Sequence, residues 1–233
     1  MLLKSQLEEL GSSLLIYHGN PLDIYREINP GAVYTNHDYE PYARKRDEHI
    51  KNILDAKHIA FKTYKDQVIF EKEEVLKDDG KPYTIFTPYS KKWKSILNKF
   101  YLKSYPTEKY FNNLIRVQSL PYPSLKDIGF EKTSAAFPER LVKSSVIEKY
   151  DKQRNFPAIE GTTHLSIHLR FGTVSIRKLA QVAIKKNEIW LNELIWRDFY
   201  HMILWHYPCW PGRKHRSYLN RTAFRISQPI NGR

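Results

Sequence analysis

The chain has 233 residues, 41% of them hydrophobic, a formal net charge of +13 at pH 7 and a single cysteine, Cys209. That length suffices for one large domain or two ordinary ones of about 100 to 200 residues, while one cysteine excludes an internal disulfide and a multi-cysteine zinc site, and no metal centre is expected. No apolar run approaches the roughly 18 residues of a membrane span, so the expectation is a cytoplasmic protein away from membranes, taken to be a monomer.

At the amino terminus Leu2, Leu3, Leu7 and Leu10 recur at helical spacing with Glu8 and Glu9 among them, which predicts a helix stopped by Gly11 and excludes a secretory apolar core. A short strand is expected over 13–17, closed by the turn HGNP at 18–21, with Asp23 capping a short helix. Further strands are expected over 32–34, 58–61 and 67–70, and an amphipathic helix over 42–56. A turn at 78–82, a strand at 83–86 and a basic helix at 90–102 containing Trp93 follow. Such alternation predicts an α/β region with a parallel sheet over residues 1–104. Residues 105–141 hold Pro106, Pro121, Pro123 and Pro138 with little periodicity and read as an interdomain connector. Residues 142–233 are expected to be all-α, with helices at 166–170, 175–185 and 188–206.

Charge is concentrated at the end: residues 149–233 hold six Lys and nine Arg against five acidic residues, a net +10. Aromatic and His residues lie among the Arg residues, as a surface that attracts phosphate and stacks on bases requires. A solvated basic face accounts for the charge equally well.

Two constellations carry chemistry. In EGTTHLS (160–166) a glycine turn feeds hydroxyls into a helix start, where free backbone N–H groups suit a phosphate. The simpler reading is that Thr162 or Thr163 only caps the helix; P-loop spacing is absent, which weighs against a kinase or ATPase. The helix at 188–206 projects Ile195, Phe199, Met202 and Ile203 onto a core face and Trp190, Glu193, Arg197, Tyr200 and His201 onto the other, with Trp196 flanking Glu193. Glu193 and Arg197 are spaced for an ordinary helix ion pair. Two indoles beside that pair favour a flat ligand that stacks on a tryptophan and offers the carboxylate a hydrogen bond from its polar edge.

YDKQRNFP (150–157), EGTTHLSIHLRFG (160–172) and WLNELIWRDFY (190–200) resemble, in order, consecutive signatures of the flavin domain of the DNA photolyase and cryptochrome family. NHDYEPYARKRD (36–47) and YTIFTPY (83–89) are similar to its antenna domain. The resemblance implies a Rossmann-like α/β antenna domain followed by an all-α FAD-binding domain. It implies FAD held by Tyr150, Thr162, Thr163, His164, Leu165 and Ser166 around the phosphates, with Trp190, Glu193 and Arg197 continuing the wall. Glu193 and Trp196 would be the catalytic contacts to a cyclobutane pyrimidine dimer, and Arg154, Glu193, Trp196 and Tyr200 would face DNA. The implied activity is that of a deoxyribodipyrimidine photolyase, a carbon–carbon lyase that repairs dimers in light with an electron from reduced FAD. A cryptochrome-type blue-light receptor, repair of the six-four photoproduct and an inactive nucleic-acid-binding remnant are the alternatives.

The family pattern begins with a strand and an arginine-rich loop ahead of residue 1, and continues past residue 208 into contacts with the flavin ring, where residues 209–233 match nothing expected. Both domains therefore read as incomplete, and weak flavin affinity and aggregation are expected. Lys62 stands where folate-binding members carry an acid, which argues against a folate antenna and leaves a deazaflavin or no second pigment.

Overall fold

A computed structural model describes residues 2–131, 133–134 and 136–208; the divergent tail 209–233, with Cys209, lies outside the described residues. The chain forms two compact units, each drawn from three stretches of sequence. One comprises Met1–Val33, Glu48–Phe61 and Ser104–Pro138, the other Tyr34–Asp47, Lys62–Lys103 and the described part of Glu139–Arg233. The architecture is a small α/β sheet region together with a helical part, as the sequence implies. Among the described residues no helix is long and apolar enough to cross a membrane.

In the first unit, α1 (Leu2–Glu9) ends at Gly11, whose φ of +72° is reached without strain only by glycine. Helix α2 (Pro21–Glu27) is capped by Asn20, whose side chain accepts from the Leu22 N–H at 3.0 Å. Its far end is closed by the Lys57 ammonium, which donates to the carbonyls of Tyr25 (3.1 Å), Arg26 (2.6 Å) and Ile28 (2.9 Å) and to Asn29 Oδ1 (3.1 Å). A cation there satisfies the carbonyls left open at a helix end. Val33, Ile50 and Leu54 form this unit's core.

Strands β1 (Ala32–Asn36) and β2 (Ala60–Tyr64), joined through α3 (Pro41–Ala56), make a two-stranded parallel sheet. The other expected strands do not form. Residues 13–17 stay outside the sheet, with the Ser13 hydroxyl accepting from the Leu120 N–H at 3.1 Å. Residues 83–86 give way to α4 (Phe86–Ile96), which begins four residues before the expected basic helix.

The second unit is built on α9 (Glu188–His206), which packs against α4, α6 (Tyr150–Gln153) and α8 (Ile176–Lys186). Helices α5 (Ser144–Glu148) and α7 (Ser166–Arg170) complete it. Asn187 caps α9 by accepting from the Trp190 N–H at 3.1 Å, and its amide reaches Asp151 at 2.9 Å, which holds α6 to the start of α9. Phe70, Trp93, Leu179, Trp190, Ile195 and Phe199 belong to one core cluster.

Asp198, on α9, is wholly buried. Its Oδ2 accepts from the backbone N–H groups of Ile69 and Phe70, both at 3.1 Å, and from the Trp93 indole N–H at 2.9 Å. These contacts explain why residues 67–70 are not a strand: two of the N–H groups that a neighbouring strand would need are already taken. Burial outweighs the three donated bonds and pushes the Asp198 carboxyl up to about 6, whereas burial holds the His201 imidazole down at about 4.

The two groups oppose one another in acid. The folded chain binds the Asp198 proton more tightly than the unfolded chain, so this residue lowers stability as pH rises from about 4 to about 6. His201 stays neutral when folded and charges when unfolded, so it lowers stability as pH falls from about 6.5 to about 4. Urea unfolding between these limits is expected to show Asp198→Asn losing more stability than the parent as pH falls, and His201→Gln losing more as pH rises. Each deviation is at most about 1.4 kcal/mol per pH unit. Parallel profiles for all three proteins would refute the assignment.

Candidate functional site

Helix α9 is buried around about half its circumference, by Trp190, Leu191, Leu194, Ile195, Asp198, Phe199 and Met202. Trp190 therefore departs from the expected face: its side chain is 3% exposed and belongs to the core rather than lying open beside Glu193. The reason is that neighbouring helices cover a wider arc of α9 than its aliphatic residues alone mark out, and Trp190 sits at the edge of that arc. Glu193, Trp196, Arg197 and Tyr200 remain on the less buried side, whereas His201 is half-buried at the edge of the buried arc, between Trp190 and Leu194 in projection.

Three groups of side chains stand there. In the first, Glu193 pairs with Arg154 from the end of α6, and the Arg154 guanidinium lies 5.6 Å from the centre of the Tyr150 ring. The expected helix pair between Glu193 and Arg197 does not form. Arg197 instead donates to the carbonyls of Gln67 and, at 3.4 Å, Leu169, and burial holds its pKa down. In the second, Trp196 stacks on Phe86 of α4 with ring centres 3.7 Å apart and planes within 5°, and on Tyr200 at 5.4 Å and 25°. Such contacts hold both aromatics in place.

The third group lines a cleft of about 420 Å³ whose walls include Gln67, Ser166, Arg170, Arg197, Tyr200 and His201. Arg170 pairs with Glu40 of the same cleft at 3.0 Å. His201 Nδ1 hydrogen-bonds the Arg197 carbonyl at 2.7 Å, which fixes that nitrogen as the donor and leaves Nε2 as an acceptor. Glu40 answers the Arg170 charge, so Arg197 with one hydroxyl and one phenol is left to suit an anionic group attached to a flat ring.

The loop before α7 is shaped by Gly161, where an added Cβ would come within 2.8 Å of the Gln153 backbone. Neither threonine caps α7. Leu165 occupies the cap position without a side-chain bond and is buried, while Thr162 Oγ1 lies 3.2 Å from His164 Nε2, which also meets Glu160 at 3.3 Å. Thr163 is half-buried, His164 is exposed at a φ of +49°, and of the segment 160–166 only Ser166, the first residue of α7, lines the cleft. Sequence reasoning missed Glu40, Gln67 and Arg170, although Glu40 and Arg170 lie inside the segments 36–47 and 160–172 that carry the resemblance.

Residues 1–109 match the family model described as DNA photolyase. A deoxyribodipyrimidine photo-lyase of Synechococcus is 29% identical over 92% of this chain and 51% of its own length. Over most of its length the chain is similar to members of the DNA photolyase and cryptochrome family. Cryptochrome-1 of Arabidopsis thaliana is 26% identical over 82% of the chain and 31% of its own length. The crystal structure of a class III photolyase from Agrobacterium tumefaciens superposes with a TM-score of 0.67 at 20% identity, covering 88% of this chain and 48% of that one. The chain thus spans about half the length of the photolyases it matches. Within that family frame, Ser166 and Arg197 come from two separate motifs and meet at one cleft.

Two substitutions separate scaffold from site. Gly161→Ala is expected to lower stability by about 1–3 kcal/mol, because a methyl group has no room against Gln153. Glu193→Gln is expected to change it by less than about 1 kcal/mol, since its ion pair is about one-third exposed. Urea midpoints of the two variants check both values, and the reverse order would contradict the geometry.

Proposed function

We propose that the chain binds FAD at the cleft of Ser166 and Arg197 and presents Glu193 and Trp196 to a cyclobutane pyrimidine dimer in DNA for light-dependent repair. The observation that carries this reading is the convergence of a hydroxyl, the Arg197 guanidinium and a phenol on that one cleft, next to the Trp196 and Tyr200 stack. A volume of about 420 Å³ admits part of a dinucleotide, and Arg197, which no carboxylate pairs with among the described residues, suits its phosphates. Tyr150, Thr162, Thr163, His164 and Leu165 belong to the same reading as the approach to the phosphates. Trp190 backs the wall from the core. When bound, FAD supplies the light-driven one-electron chemistry.

The chain's own residues bind and orient. Carbonyls of Gln67 and Leu169 hold the Arg197 guanidinium in place, so little of its freedom is lost on meeting an anion. Glu193 waits in its ion pair with Arg154. A DNA phosphate competes for Arg154 as a charge-assisted acceptor and frees the Glu193 carboxylate to accept from the bases of the lesion. Trp196 offers the apolar side against which a flipped dimer packs, and Tyr200 extends that side. A monomer acting on DNA suffices for this scheme. Lys62, whose ammonium lies 5.4 Å from the Tyr34 ring centre, brings a cation where a folate would need a carboxylate, so the reading involves FAD without a folate antenna.

Titration with FAD, followed by flavin fluorescence, tests the cleft. Ser166→Asp is expected to weaken binding about tenfold, a loss of about 1.4 kcal/mol from placing a carboxylate near the phosphates, with an unchanged urea midpoint because Ser166 is exposed. Repair of a thymine-dimer oligonucleotide under blue light with reductant tests the activity: Glu193→Gln should slow repair while retaining FAD. Equal FAD affinity of Ser166→Asp and parent would remove the cleft from the reading. Flavin binding without repair by the parent would favour a receptor of the cryptochrome type.

A further inference from the structure

Side chains alternate along a strand. In β1 and β2 the alternation turns Val33 and Phe61 into a hydrophobic cluster and leaves Tyr34, Lys62 and Tyr64 together on the opposite face. Tyr34 is 62% exposed and Tyr64 is 51% exposed. Their rings are nearly parallel, 11° apart in plane with centres separated by 6.3 Å. The Lys62 ammonium lies 5.4 Å from the Tyr34 ring centre and makes no ion pair among the described residues. None of the three lines the cleft of Ser166 and Arg197.

Parallel sheets are ordinarily covered on both faces by apolar packing. This face carries two phenols and an ammonium, whose polar ends an aliphatic cover would strip of water at a cost. A suitable occupant is flat, so that it stacks on a phenol, has a wet polar edge, and is joined to an anion that Lys62 can meet. Nucleobases on a sugar–phosphate strand have all three properties, and a strand with unpaired bases exposes the flat faces that a duplex hides. The net charge of +13 attracts the same polymer.

We propose that Tyr34, Lys62 and Tyr64 form a stacking platform for unpaired bases of single-stranded nucleic acid, separate from the dimer-repair site. Stacking is indifferent to base identity, because every base has a π face, so the platform favours strands by their unpaired state rather than their sequence. It needs neither a lesion nor a flavin, and its test is independent of both.

Fluorescence anisotropy in the dark, with an undamaged oligothymidylate and an abasic strand of equal length and charge, decides the matter. The parent protein is expected to bind the base-bearing strand about tenfold more tightly. The double variant Tyr34→Ala with Tyr64→Ala should lose that preference and keep the abasic affinity, whereas Tyr34→Phe with Tyr64→Phe should retain it. Lys62→Ala should reduce the slope of log affinity against log salt by about one. Equal affinity of the parent for the two strands, or a preference that survives in the double alanine variant, overturns the proposal. An unchanged salt slope in Lys62→Ala overturns the assigned role of the lysine.

Discussion

A buried carboxylate is costly unless its surroundings answer it, and Asp198 is answered on one oxygen only. Three N–H groups from two distant stretches of chain converge on Oδ2, while Oδ1 has no partner among the described residues. That asymmetry ties α9 to the segment ending at Phe70 and to Trp93 of α4, and fixes α9 in rotation as well as in position. The polar side of the helix depends on this orientation. Arg197, the preceding residue, reaches the carbonyl of Gln67 in the segment that Asp198 anchors. The cleft therefore inherits its geometry from a contact that belongs to the core.

The site residues are divided between two kinds of restraint. Trp196 is held by stacked contacts with Phe86 and Tyr200, both Trp196 and Tyr200 by edge or tilted contacts with Phe199, and Arg197 by backbone carbonyls that cannot titrate or leave. Glu193 and Arg154, by contrast, hold each other at the surface, where an ion pair is weak and exchanges readily with other charges. In the proposed function the rigid members meet a ring and its phosphates. The exchangeable pair suits a ligand that arrives later and brings its own anions.

Much of this was legible in the sequence. Helices α3 and α9 are long enough for their apolar spacing to show, and β1 lies where the apolar residues near Val33 indicate. The segment 67–70 misled because its strand-like residues are buried, yet its N–H groups bond to a carboxylate 128 and 129 residues away, which no local pattern records. Helical projection placed Glu193, Arg197 and Tyr200 correctly on one side and failed for Trp190, since the width of a buried arc is set by neighbouring helices. It also assigned Glu193 the nearest cation along the helix, whereas Arg197 is drawn away by two carbonyls and Arg154 takes its place. The motifs led to Ser166 and Arg197; Gln67 entered the cleft through tertiary packing alone.

The interleaving of the two units bears on how the chain is made. The first unit draws on residues as late as Pro138 and the second on residues as early as Tyr34. During synthesis neither can close over its own contacts before residues beyond Lys103 have left the ribosome. Early stretches such as Leu2–Glu9 must wait for partners such as Ser119, to which the Lys4 ammonium donates at 2.8 Å. Closing such long loops is slow and leaves apolar segments uncovered meanwhile. Apolar residues of the early segments thus stay in water until the later segments are made.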